Sequence, residues 1–186
     1  MTVGFAMCGS FCTFSNLFPV MRRLSEEYDL IPIFSQAVNT ISSRFGTPEE
    51  FHIKAEEICG RAPITTIAQA EPIGPKKLLD ALVIAPCTGN SLAKLVHSIA
   101  DTPVTMAAKS HLRNGRPIVV AVSTNDGLAG AAENIGKLLA RKHYYFVPFR
   151  QDDPAGKPTS LVADFSALPE TLRQALEGRQ IQPILI

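Results

Sequence analysis

Residues Ile118-Val119-Val120-Ala121-Val122 run apolar and mostly β-branched, with no polar interruption. A strand with one wet face alternates. One that does not alternate is buried on both faces, which calls for a parallel sheet covered on each side by helices. Ala81-Leu82-Val83-Ile84 reads the same way. Further strands are expected over Val3–Met7, Leu30–Ser35, Ile64–Ile67 and Tyr144–Phe149. Between them lie helical patterns, such as Leu17, Phe18, Met21 and Leu24 within Ser15–Glu27, where Pro19 is placed in the first turn. Thr47-Pro48-Glu49-Glu50 opens another helix with a capping box, and Gly60 closes it. This alternation predicts an α/β fold: a doubly wound, mainly parallel six-stranded sheet with helices on both faces, a Rossmann- or flavodoxin-like three-layer sandwich. The 186 residues are expected to form a single domain, 1–186. It ends in a polar loop at about 150–164, a helix around Pro169–Gly178 and an apolar tail, Ile181–Ile186, that docks on a neighbour.

A formal net charge of +1 argues against a nucleic-acid or membrane-surface footprint. No apolar run approaches the roughly 20 residues that span a bilayer, and the amino terminus lacks the basic region of a signal peptide. Cys8, Cys12, Cys59 and Cys87 form no Cys-x-x-Cys pair and have no histidine at a zinc-like spacing. Reduced thiols, a cytoplasmic setting and no metal are therefore expected.

Several strands end in small hydroxyl, amide or glycine residues: Gly9-Ser10, Ser35, Thr88-Gly89-Asn90-Ser91 and Ser123-Thr124-Asn125. In a parallel sheet these turns share the carboxyl edge, where ligands bind. Glycine lets backbone approach closely, and free amides at helix starts favour an anion. The plain alternative is that turns favour these residue types anyway. No Gly-x-Gly-x-x-Gly follows the first strand, no acid closes the second, and there is no P-loop lysine. A mononucleotide such as FMN suits these turns better than NAD or ATP. The Asn90 amide both donates and accepts, which fits a flavin edge or a substrate carboxylate. Cys87 reads either as a reactive thiol or as a small buried filler.

Gly9-Ser10-Phe11, Pro86-Cys87-Thr88-Gly89-Asn90-Ser91-Leu92-Ala93-Lys94 and Ser123-Thr124-Asn125 together resemble the superfamily of homo-oligomeric flavin-containing cysteine decarboxylases and flavin prenyltransferases. The resemblance covers nearly all residues. It implies FMN held by Gly9, Ser10, Phe11, Ser35, Thr88, Gly89, Asn90, Ser91, Ser123, Thr124 and Asn125, with Asn90 acting on ring or substrate. It also implies trimers or multiples of trimers. Those decarboxylases use a histidine shortly before the fourth strand, and Gln69-Ala70-Glu71-Pro72-Ile73-Gly74 has none, so cysteine decarboxylation is not expected.

The Cys8–Thr13 start and the segment Lys157-Pro158-x-Ser160-Leu161-Val162-Ala163-Asp164 resemble one branch most. Its members, in endospore-forming bacteria, work with a distinct NAD(P)-binding chain to oxidise a dihydropyridine dicarboxylate. That implies a partner chain, a small dicarboxylate substrate and the mother-cell cytoplasm. Lys94, Lys109, His111 and Arg113 are the groups expected to meet the carboxylates. Two other readings stay open beside this one: a non-catalytic module for nucleotide binding or assembly, and a flavin prenyltransferase.

Overall fold

In the computed structural model, which describes residues 1–186, all of β3 (Ala81–Cys87) is buried, as is β4 (Ile118–Thr124) up to Ser123. These two central strands pair in parallel, Leu82 opposite Ile118, as their unbroken apolar character predicts. β1 (Thr2–Met7) lies on the other side of β3, and β2 (Asp29–Phe34) beyond β1. β5 (Tyr144–Phe146) adds to the start of β4. The parallel order is therefore β2-β1-β3-β4-β5. Succession reverses between β1 and β3, so the chains leaving their carboxyl ends diverge and open a crevice. The sheet position most suited to a ligand is thus set by topology alone.

Helices α1 (Phe14–Ser25), α3 (Pro48–Cys59) and α8 (Leu168–Leu176) pack on one face. The short α4 (Ile67–Ala70) packs on the other with α5 (Gly89–Val96), α6 (Pro103–Leu112) and α7 (Ala132–Leu139). The short α2 (Gln36–Thr40) follows β2. α3 begins with the capping box read from sequence: Thr47 Oγ1 accepts from Glu50 N at 3.3 Å, and Glu50 Oε2 accepts from Thr47 N at 2.8 Å. Gly60 ends it at φ 67°. No helix is long and apolar enough to cross a membrane.

Three expectations change. Ile64–Ile67 is not a strand; only Ile64 bridges to Ile33, and Ile67 starts α4. Thr66 and Gln69 form a reciprocal capping box there, which outweighs the β-branched character of the run. The polar loop at 150–164 is a hairpin, β6 (Phe149–Asp153) and β7 (Lys157–Ala163). β7 joins the end of β4 antiparallel, Ser123 opposite Val162, so the sheet has seven strands rather than six. The turn at Pro154–Gly156 is fixed by Gly156 N donating to Asp153 Oδ1 at 2.9 Å. Pro19 lies inside α1 rather than in its first turn, because the helix begins at Phe14 behind a 3-10 turn over Phe11–Thr13.

The apolar tail docks on its own chain. Ile184 O accepts from Phe149 N at 2.9 Å, and Ile186 N donates to Phe149 O at 3.2 Å. Gln180 closes the exposed edge of β5 as a strand would, its amide accepting from Phe146 N and donating to Phe146 O, both at 2.7 Å. Gly74 lets the backbone before β3 touch α6: a Cβ there would lie 2.6 Å from the Ser110 carbonyl oxygen. Gly74→Ala must push backbone against backbone, so a loss of about 2 kcal/mol is expected. Urea unfolding checks this; an unchanged midpoint refutes the contact.

Candidate functional site

A cavity of about 1350 Å³ opens at the carboxyl ends of β1, β3 and β4. Gly9, Ser10 and Phe11 line it from the first turn, Thr88, Gly89 and Asn90 from the second, and Ser123, Thr124 and Asn125 from the third. Nine of the eleven residues expected from sequence therefore share one space.

The turns are tied to each other by short polar contacts. Ser10 Oγ and Ser123 Oγ share a hydrogen bond of 2.8 Å across 113 positions of sequence. Thr88 caps α5, accepting from Ser91 N at 3.4 Å and donating to Ser91 Oγ at 3.2 Å. Thr124 Oγ1 donates to Asp126 Oδ1. Both atoms press on Gly89, where a Cβ would stand 2.8 Å from each. Glycine is needed at that position because the third turn comes so close.

Two expected residues lie outside the cavity. Ser91 points back to the sheet and donates to Cys8 Sγ at 3.1 Å, a buried structural contact. Ser35 caps the helix after β2, accepting from Val38 N at 3.5 Å, and is buried. Both spend their hydroxyls on local structure, as Ser does at helix starts. Cys87 is wholly buried, and burial holds its thiol well above the usual range. It is a filler of the sheet end, not a nucleophile.

The expected carboxylate-binding cations do not reach this cavity. Lys94, Lys109 and Arg113 line a different one. His111 is fully buried, and its Nε2–H donates to the Pro117 carbonyl at 3.0 Å. Its Nδ1 is sealed from solvent and has no partner. Burial pushes the imidazole down from 6.5 to about 4, so it stays neutral. Since the unfolded chain takes this proton at higher pH than the folded one, the stability is whole above pH 6.5. It is lost as pH falls toward about 4, at up to about 1.4 kcal/mol per pH unit. Urea midpoints at pH 7 and pH 5 test this, with a smaller drop expected for His111→Gln.

Asp152, Asp153 and Lys157 read from sequence either as a lid or as a solvated loop. Asp152 and Lys157 line the cavity, and the hairpin also brings Arg150 and Ser160–Ser166, which sequence reading missed. Lys157 Nζ pairs with Asp152 at 2.8 Å, and Asp164 accepts from Ser166 N and Oγ. Arg150 alone among the cavity's charged side chains has neither ion pair nor side-chain hydrogen bond. The signal was available in Asp153-Pro154-Ala155-Gly156, a turn sequence between two short runs.

The site is thus a roomy crevice walled by hydroxyls, carboxamides and backbone amides, with Phe11 on one side and one unpaired cation. It holds no histidine, and Cys12 is the one thiol that lines it. Such walls bind and orient a reactive group rather than supply one.

Comparison with known proteins places this chain among flavoproteins. The Flavoprotein family model matches residues 1–156. The B subunit of dipicolinate synthase from Bacillus subtilis is 44% identical over 185 residues, covering 99% of this chain and 92% of the relative. The crystal structure of the dipicolinate synthase B subunit from Bacillus halodurans superposes with a TM-score of 0.91 at 46% identity, over 100% of this chain and 95% of that one. Burkholderia xenovorans DmrB, a cubic protein cage for redox transfer solved with FMN, shares the fold at a TM-score of 0.70 and 16% identity, over 95% of each chain.

Proposed function

The chain belongs to the Flavoprotein family, and on that footing we propose that it is the FMN-binding B subunit of a dipicolinate synthase. It works with an NAD(P)-binding A subunit to oxidise dihydrodipicolinate to dipicolinate during bacterial sporulation, in the mother-cell cytoplasm. Copies of the chain assemble as trimers or multiples of trimers. The observation that carries the reading is the crevice between β1 and β3, walled by three hydroxyl- and amide-bearing turns in a chain so close to a named B subunit.

The residues present fit FMN. The cavity exceeds the roughly 300–1,000 Å³ typical of ligand pockets, leaving room for a cofactor and a small ring together. Asp126 lies against Gly89, so a phosphate dianion is repelled from the start of α5. The phosphate belongs instead to the Gly9–Phe11 turn, where the Ser10 and Ser123 hydroxyls meet. The ring edge then falls to Thr88–Asn90 and Thr124–Asn125. FMN bound there supplies a two-electron acceptor for a dihydropyridine ring. The protein's own part would be to hold the cofactor between these three turns and to balance the substrate's negative charge with Arg150 on the β6–β7 hairpin.

The test is spectroscopic. Purified with its partner, the protein should show a flavin absorption spectrum near one equivalent per chain, bleached by dihydrodipicolinate. A colourless complex that still forms dipicolinate removes FMN from this reading.

A further inference from the structure

Lys94, Lys109 and Arg113 gather with Arg141 around a second cavity of about 310 Å³, which shares no residue with the first. It lies between the carboxyl ends of α5 and α6 and the start of β5. Cations at helix carboxyl ends often only complement the last carbonyls. Arg141 does so, donating to Leu95 O at 3.2 Å and Val96 O at 2.6 Å. Lys94 is paired with Asp101 at 2.8 Å. Lys109 and Arg113 do neither: no ion pair and no hydrogen bond engages them, and no acidic residue lines the space. Positive charges that converge with so little counter-charge repel one another unless an anion joins them.

Tyr144 is an independent pointer. It is 7% exposed, it lines this cavity, and its hydroxyl has no hydrogen-bond partner. Burial pushes its phenol up to about 12, so it is a standing donor. Its hydroxyl oxygen is not sealed off, so it can donate to a molecule that enters the cavity. Leu95, Leu112 and the half-exposed Ile99 add apolar surface to the cavity lining. The volume sits near the lower end of the roughly 300–1,000 Å³ range for ligand pockets. Apolar side chains mixed with cations suit an anion with a carbon body better than a bare oxyanion.

We propose that this cavity is a second ligand site for a small organic di- or tricarboxylate, gripped by Lys109 and Arg113 and oriented by the Tyr144 hydroxyl. It stands apart from the flavin crevice and does not depend on the reaction performed there. Calorimetric titration of the intact protein with citrate tests it. Saturable binding is expected, weakened about tenfold or more by Lys109→Gln or Arg113→Gln. Tyr144→Phe, which keeps every charge, should weaken it about fivefold. Lys54→Gln, which removes a cation elsewhere on α3, should leave it unchanged. No saturable binding to the wild-type protein overturns the proposal. So does an equal loss in Lys54→Gln, which marks a mere ion atmosphere, or inorganic phosphate competing as well as citrate.

Discussion

Asn90→Ala is expected to lower kcat for dihydrodipicolinate oxidation by about 100-fold per bound flavin, leaving the complex with the NAD(P)-binding partner intact. Asn90 stands at the second position of α5, exposed to the crevice, between the turn that caps the helix and the third turn. Thr88 already satisfies Ser91 N, so the Asn90 side chain is not consumed by capping. Its amide is free to donate and accept toward the reacting rings. Removing one preorganised donor from such a site costs on the order of 10²–10³ in kcat. Binding made equally in ground and transition states would move KM instead. Asn90→Asp supplies a sharper control. It is isosteric but would put a second carboxylate near Asp126, so weaker flavin retention is expected along with lost turnover. Full activity in Asn90→Ala would point to an assembly module whose crevice plays no chemical part.

The central strands were legible because burial on both faces leaves an unambiguous mark, as at Ile118–Val122 and Ala81–Ile84. The capping box at Thr47 was legible because it is local. Side-chain direction was not. Ser91 follows Asn90 by one residue, yet a helix turns about 100° at each step, so Ser91 faces Cys8 while Asn90 faces the crevice. Ser35 was misassigned for the same reason: a hydroxyl at a strand end serves a ligand or the next helix equally well by composition. The hairpin escaped because edge strands carry charge to resist further pairing, and Arg150-Gln151-Asp152-Asp153 therefore resembles a loop. Lys94, Lys109 and Arg113 follow the β3 turn in sequence, but α5 and α6 carry them away from the crevice.

Arg150→Gln is expected to raise KM for dihydrodipicolinate by about 100-fold, with kcat nearly kept and flavin absorbance unchanged. The crevice holds three carboxylates of its own, Asp126, Asp152 and Asp164, against Arg150 and Lys157. Lys157 is tied to Asp152, which leaves Arg150 as the one cation free to meet a substrate that brings two more negative charges. It sits on β6 opposite Val162, on the hairpin that closes one side of the crevice. A guanidinium fork meets a carboxylate through two parallel bonds. Hydrogen bonds to charged groups contribute about 1.5–3 kcal/mol each, so the loss of this contact reaches two powers of ten. Because carboxylates change little as the ring is oxidised, the energy is shared by ground and transition states and belongs in KM. Arg150→Lys keeps the charge without the fork, and an intermediate KM is expected. Steady-state kinetics of the two variants beside direct dipicolinate titration decide the matter. Unchanged affinity in Arg150→Gln would mean that both carboxylates are met by groups from a neighbouring chain.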